Sequence, residues 1–271
     1  MKFSLITLLA GLFLALAAPL EERKVKPPAF FIAGDSTTAI GGGWGDGFLS
    51  TLRNGATGVN RGHNGTTTAS FVSLGDWAAV IDLVKDHRAK YKCYVTIQFG
   101  HNDQVRTPSV CMSVWNGFTD IDILLALPKK ATSNVTIAQF QTNLQNLANE
   151  VKAAGATPII LTSLTRRKFT NGILVDSLAD VAEAAKKAAA AVNVALLDLN
   201  AASKEYVQAI GSENADKYNL LEGDRTHLND HGIAVFGRMV ADLIVDWKRP
   251  LRAYITPDPE TSKKIAQGIY V

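Results

Sequence analysis

The strongest constraint on this chain is the alternation of short apolar runs with stretches of helical periodicity. Ala29-Phe30-Phe31-Ile32-Ala33 is an unbroken apolar run ended by Gly34. Tyr91 to Phe99 is a second run, rich in β-branched and aromatic residues. Both read as strands, as do Gly58 to Asn60, Pro158 to Leu161 and Val194 to Leu199. Between them lie segments that repeat apolar residues every three or four positions, from Trp44 to Arg53, Trp77 to Lys90, Asp176 to Val192 and Asp230 to Trp247. The clearest of these is Thr136 to Ala154, with Ile137, Phe140, Leu144, Leu147 and Val151 on one face and Gly155 as its stop. A strand that is apolar throughout has no solvated face, so helices must cover both sides of its sheet. The predicted fold is α/β: a three-layer α/β/α sandwich around a mostly parallel central sheet of about five strands. With 47% hydrophobic residues the 271-residue chain can bury one sizeable core, and without repeats or low-complexity tracts a single domain over residues 18–271 is expected.

In such sheets ligands bind beyond the carboxyl ends of the strands. Chemistry is therefore expected after Ala33, Asn60, Phe99 and Ser163. The first three ends carry Gly34-Asp35-Ser36-Thr37, His63-Asn64-Gly65-Thr66 and Gly100-His101-Asn102-Asp103. Just before the last helix, Asp224-Arg225-Thr226-His227 adds an acid and an imidazole. A serine nucleophile needs a base, and the base needs a carboxylate to fix its tautomer. Ser36, His227 and Asp224 are the residues able to fill those roles. The oxyanion formed on attack needs preorganised donors, each worth roughly 3–4 kcal/mol in the transition state. The backbone N–H groups of Ser36 and Gly65 and the side-chain amide of Asn102 are candidates, Gly65 because a missing Cβ lets backbone approach a substrate. Each residue alone has a plainer explanation. Ser36 caps a helix, Asp224 and His227 form a surface turn, and Gly65 and Asn102 are ordinary turn residues.

Other chemistry finds less support. The net charge of +3 is spread thinly and has no aromatic interleaving, so no nucleic-acid partner is expected. No His-Glu-x-x-His or comparable spacing is present, so no metal or other cofactor is expected. The glycines from Gly41 to Gly47 are not followed by Gly-Lys-Ser/Thr, which argues against a phosphate cradle. His63 and His101 lie beside the proposed site, either as substrate or supporting contacts or as part of the loop structure, whereas His87 and His231 sit at helix ends as structural residues. Thr165-Arg166-Arg167-Lys168 is either a solvated loop or a contact to an acidic sugar.

Lys2, the apolar run Leu5 to Leu16 and Ala15-Leu16-Ala17 read as a signal peptide over residues 1–17. The run is too short to span a bilayer, which takes about 20 residues, so a secreted, extracellular, monomeric protein without a membrane partner is expected. Export would permit a disulfide, but Cys93 sits in a strand and Cys111 in a loop, so their pairing is left open. Asn64 and Asn134 lie in glycosylation sequons; a glycan on Asn64 would obstruct the proposed site. No role is assigned to the tail from Leu251 to Val271.

Taken in order, the blocks around Ser36, Gly65, Asn102 and Asp224/His227 resemble the four blocks of the SGNH, or GDSL-type, hydrolase superfamily. The resemblance implies a flavodoxin-like sheet, Ser36, Asp224 and His227 as catalytic residues, and Ser36, Gly65 and Asn102 as the oxyanion hole. Ala33-Gly34-Asp35-Ser36-Thr37, Gly43-Trp44-Gly45-Asp46, Phe99-Gly100-His101-Asn102-Asp103 and Val110-Cys111-Met112-Ser113-Val114 are most similar to the fungal rhamnogalacturonan acetylesterases. Thr38 and Thr66-Thr67-Thr68 depart from that group, and so does the missing partner for Cys111. The resemblance implies a serine esterase removing acetyl groups from a plant cell-wall polysaccharide, rhamnogalacturonan of pectin foremost. Alternatives are a short-chain esterase or lipase, an acetylesterase on another polysaccharide such as xylan, and a non-catalytic carbohydrate-binding protein on the same fold.

Overall fold

A computed structural model describes residues 25–104 and 135–271. The predicted signal segment, Cys111 and Asn134 lie outside these residues. The strands are β1 (Pro28–Gly34), β2 (Thr57–Asn60), β3 (Lys92–Gln98), β4 (Thr157–Leu161), the short hairpin β5 (Phe169–Thr170) and β6 (Ile173–Leu174), and β7 (Ala195–Leu197). The helices are α1 (Gly45–Leu49), α2 (Thr68–Ser73), α3 (Asp76–His87), α4 (Ile137–Ala153), α5 (Ala179–Ala191), α6 (Leu199–Asp216), α7 (Asp230–Trp247) and α8 (Pro259–Ala266). A 3₁₀ segment, Arg249–Tyr254, joins the last two.

The central sheet has five parallel strands in the order β2-β1-β3-β4-β7. This is the predicted sandwich, with the flavodoxin strand order. From β1 the chain winds first to β2 on one side and then crosses to β3 on the other. The crevice between the carboxyl ends of β1 and β3 is therefore the topological switch point, where such folds place ligands. Strand alternation divides the core in two. Phe30, Ile32, Tyr94, Ile159 and Leu161 face a layer containing Phe48 of α1, Tyr206 and Val207 of α6, and Val235, Phe236 and Val240 of α7. Ala29, Phe31, Ala33, Val95, Ile97 and Ile160 face the layer of α2 to α5. Cys93 is buried in this second layer as a free thiol.

The helix boundaries follow local chemistry. Thr136 accepts from the Gln139 N–H at the start of α4, and Asn229 accepts from the Gly232 N–H at the start of α7. Helix α6 is the one long element that periodicity missed. Its apolar repeat breaks at Gly211, whose φ of 75° kinks the helix, while the cap that starts it, Asp198, lies in the segment read as strand. The first predicted helix is also shorter than expected and ends at Leu49.

One contact brings the two ends of the sequence together. Helices α1 and α7 meet at Gly47 and Gly237, and a Cβ on Gly237 would stand 2.3 Å from the Gly47 carbonyl carbon. Only glycine allows this approach, which carries the loop preceding α7 to the end of β1. Gly237→Ala should lower the stability by about 1–3 kcal/mol through overpacking, read as a lower urea midpoint at an unchanged slope.

Candidate active site

The turn after β1 is held from three strand ends. Asp35 is fully buried, and its Oδ1 accepts from the Thr37 N–H at 2.9 Å and the Thr37 hydroxyl at 2.7 Å. From β3, Gln98 Nε2 donates to Thr37 Oγ1 at 2.6 Å, while its Oε1 accepts from Trp44 Nε1 at 2.7 Å. From β2, Asn60 donates to the Thr38 carbonyl at 2.7 Å. Ser36 therefore stands on a fixed turn and caps no helix, because α1 begins only at Gly45.

Ser36 Oγ lies 2.9 Å from His227 Nε2, and His227 Nδ1 lies 2.8 Å from Asp224 Oδ2. The other carboxylate oxygen of Asp224 accepts from the backbone N–H groups of Thr226 and His227, each at 3.0 Å. Burial alone would raise the Asp224 carboxyl, but these backbone bonds and the His227 ring outweigh it and hold it below the ordinary carboxylate range. The ionised Asp224 fixes the proton on His227 Nδ1 and leaves Nε2 free to accept from the Ser36 hydroxyl. The three residues thus form one hydrogen-bonded chain, although Ser36 and His227 are 191 positions apart.

The remaining sequence candidates gather on the same cleft, which has a volume of about 300 Å³. Gly65 and Asn102 line it with Ser36 and His227. Asn102 Nδ2 donates one hydrogen to the Thr66 carbonyl at 3.0 Å, which steadies the amide and leaves its second N–H to be used. Gly65 has a φ of 79° and open space where a Cβ would point. Its glycine is demanded by the left-handed backbone; no neighbouring atom crowds the position. The loop carrying Gly65 is pinned to the loop carrying Asn102, for Thr68 donates both its N–H and its hydroxyl to Asp103 Oδ1, at 2.8 and 2.6 Å. Burial pushes the Asp103 carboxyl up to about 6 despite these two bonds.

The two neighbouring histidines part company. His101 lines the cleft with its ring buried 3.7 Å from Asp35 Oδ2, and burial lowers its pKa against the pull of that carboxylate. His63 instead pairs with Asp76 at the start of α3. His87 and His231 pack at helix ends, against Phe31 and Tyr218. The basic stretch after β4 also divides. Arg166 lines the cleft, whereas Arg167 is wholly buried and touches neither solvent nor cleft. Asn64 lines the cleft as well, where a glycan would obstruct it. Ile40, 70% exposed, and Leu220 form an apolar rim that periodicity could not distinguish from core positions. Among the described residues no cluster of three His, Cys, Asp or Glu is placed to hold a metal, and no helix is long and apolar enough to cross a membrane.

A serine–histidine–aspartate chain at the switch point of a parallel α/β/α sheet is the build of a serine hydrolase. The chain belongs to the GDSL-like lipase/acylhydrolase family, whose profile matches residues 32–235, and it is a carboxylic ester hydrolase. It is 28% identical over 250 residues to the rhamnogalacturonan acetylesterase RhgT of Bacillus subtilis (strain 168), covering 85% of this chain and 95% of the relative. A second relative from that organism, the probable rhamnogalacturonan acetylesterase YesY, is 26% identical, with 82% and 94% covered. Among solved structures, the YXIM protein of Bacillus subtilis superposes with a TM-score of 0.62 at 21% identity over 82% of this chain. This chain spans 57% of that longer protein. The acetylxylan esterase Axe2 of Geobacillus stearothermophilus gives 0.52 at 19% identity, covering 82% of this chain and 94% of its own. At these identities the structural likenesses speak for the fold alone.

The turn under Ser36 gives a direct test. Gln98→Leu leaves the buried Trp44 N–H without its acceptor and the Thr37 hydroxyl without its donor. Stability should fall by roughly 1–3 kcal/mol in denaturant unfolding.

Proposed function

We propose that this protein is a secreted serine esterase that removes acetyl groups from a plant cell-wall polysaccharide, rhamnogalacturonan of pectin foremost. The observation that carries the chemistry is the unbroken chain from Ser36 Oγ through His227 to Asp224, at 2.9 and 2.8 Å, opening on a cleft. His227 takes the Ser36 proton as Oγ bonds to the acetyl carbon. The carbonyl oxygen becomes an oxyanion, held by the N–H groups of Ser36 and Gly65 and the amide of Asn102. The C–O bond to the sugar then breaks, and His227 returns the proton to the leaving sugar hydroxyl. Water repeats the sequence on the acetyl-serine, releasing acetate and restoring Ser36. Every step uses side chains and backbone of this chain, and no cofactor is invoked.

Three observations support the substrate and its setting. The relatives named rhamnogalacturonan acetylesterases match over nearly their whole length. The cleft, about 300 Å³, suits a small acyl group, with the sugar lying across its open mouth. Arg166 lines that cleft with its guanidinium bonded to Ser177 Oγ and the His101 carbonyl, and the positive charge it brings there is suited to the carboxylate of a uronic acid residue. Secretion rests on Lys2, the apolar run Leu5 to Leu16 and the small residues around Ala17.

Ser36→Ala should lower kcat on acetylated pectin by about four orders of magnitude or more while polysaccharide binding persists; full turnover in that variant would sink the mechanism. The substrate is tested with Arg166→Met on acetylated pectin, acetylated xylan and a small neutral acetyl ester. KM should rise about tenfold on the acidic polymer and change little on the two neutral substrates. An equal loss on all three would place Arg166 outside sugar recognition, and faster acetate release from xylan than from pectin by the parent enzyme would move the substrate to xylan.

A further inference from the structure

Arg167 has no part in the reaction as drawn, yet it is fully buried directly behind it. A buried guanidinium is costly unless its donors are used. Here two of the three nitrogens are used: Nη2 donates to the His227 carbonyl at 2.6 Å and to the Asp224 carbonyl at 3.3 Å, and Nε donates to Asn219 Oδ1 at 2.9 Å, while Nη1 is buried without a hydrogen-bond partner. The Arg167 backbone N–H adds a bond to the Arg225 carbonyl at 2.9 Å. One side chain thus grips the main chain of both residues that complete the hydrogen-bonded chain from Ser36, and the same residue's backbone holds the residue after Asp224.

We propose that Arg167 is a positioning residue that sets the reach of His227 toward Ser36 by clamping the Asp224 and His227 carbonyls from beneath. This rests on the reaction assigned above to Ser36, Asp224 and His227. The anchor is held from several sides: Arg167 lies in the loop after β4, where the Thr162 N–H donates to the Leu197 carbonyl at 3.2 Å, Ser163 Oγ to the Phe99 carbonyl at 2.7 Å and the Thr165 N–H to Ser203 Oγ at 3.1 Å. The clamped loop has no secondary structure of its own between Asn219 and the start of α7, apart from the bridge between Asn219 and Leu228. Burial lowers the Arg167 pKa to about 10, with Asp224 and Asp216 pulling it back up, so the clamp stays charged at neutral pH. A guanidinium suits the task because its planar fork sends donors in fixed directions to separate acceptors. A lysine ammonium is a single point charge and cannot reach all three.

The test compares the parent protein with Arg167→Lys and Arg167→Ala. It reads kcat and KM on a small acetyl ester, the thermal midpoint, and the ¹H–¹⁵N signal of the His227 Nδ1–H bonded to Asp224. In the alanine variant kcat should fall about a hundredfold with KM within threefold of the parent. The Nδ1–H signal should broaden or vanish. Methylguanidinium in the buffer should recover at least tenfold of the lost rate and bring the signal back. Arg167→Lys should remain at least tenfold below the parent. Parent-like kcat in both variants would overturn the proposal. So would a rate loss that merely follows the unfolded fraction, with no rescue and an unchanged Nδ1–H signal in the folded protein. If the alanine variant does not fold, the lysine variant carries the same comparison. Absence of esterase activity in the parent would instead count against the assigned reaction, and the Nδ1–H signal would still report whether Arg167 holds the Asp224–His227 bond.

Discussion

Everything at the mouth of this sheet hangs on a short line of buried hydrogen bonds that runs from Asp35 through Thr37 and Gln98 to Trp44. Polar groups placed between two hydrophobic layers are costly when unpaired, so each member enforces the position of the next. The line ties the end of β1 to the end of β3 and to the start of α1. It thereby fixes the turn on which Ser36 stands. From that turn the rest follows: α1 must lie where Trp44 sends it, α7 must close on α1 through Gly47 and Gly237, and the loop before α7 must arrive beside the serine.

Much of this was legible in the sequence, for physical reasons. The inner strands could be recognised because burial on both faces suppresses polar alternation, β1 being almost wholly apolar and β3 buried along all but its first residue, whereas the edge strands β2 and β7 are only partly buried. Helix α7 began and ended where periodicity put it, from Asp230 to Trp247. The residues of the candidate site were found because strand ends are where such sheets keep their chemistry. Ser36, Gly65 and Asn102 do come together there, and His227 and Asp224 join them.

What stayed hidden depended on distance or direction. Helix α6 was obscured by Gly211, which breaks its periodicity, and the sequence had no means to show that Arg166 and Arg167, adjacent in the chain, point to opposite surroundings. One faces the cleft and the other is buried under the Asp224–His227 loop. Gly65 also has a reason that spacing does not show: its backbone angle lies in the left-handed region that favours glycine. His63 and His101 flank the same motifs, yet Asp76 at the start of α3 draws the first away. None of these outcomes is encoded in local spacing.

The tail that sequence left without a role turns out to back the same loop. Tyr270 packs against Tyr218 and His231 with ring centres 5.2 and 5.8 Å away, Lys217 lies over its ring, and the Val271 N–H reaches the Tyr206 hydroxyl. Tyr218 in turn accepts the Asn229 N–H just beyond His227. Tyr270 and Val271, both half-buried, therefore pack behind the loop that carries His227. A substitution at Tyr270 would thus reach the loop that carries His227 through Tyr218 and Asn229, so a segment far from the cleft in sequence shares in holding its geometry.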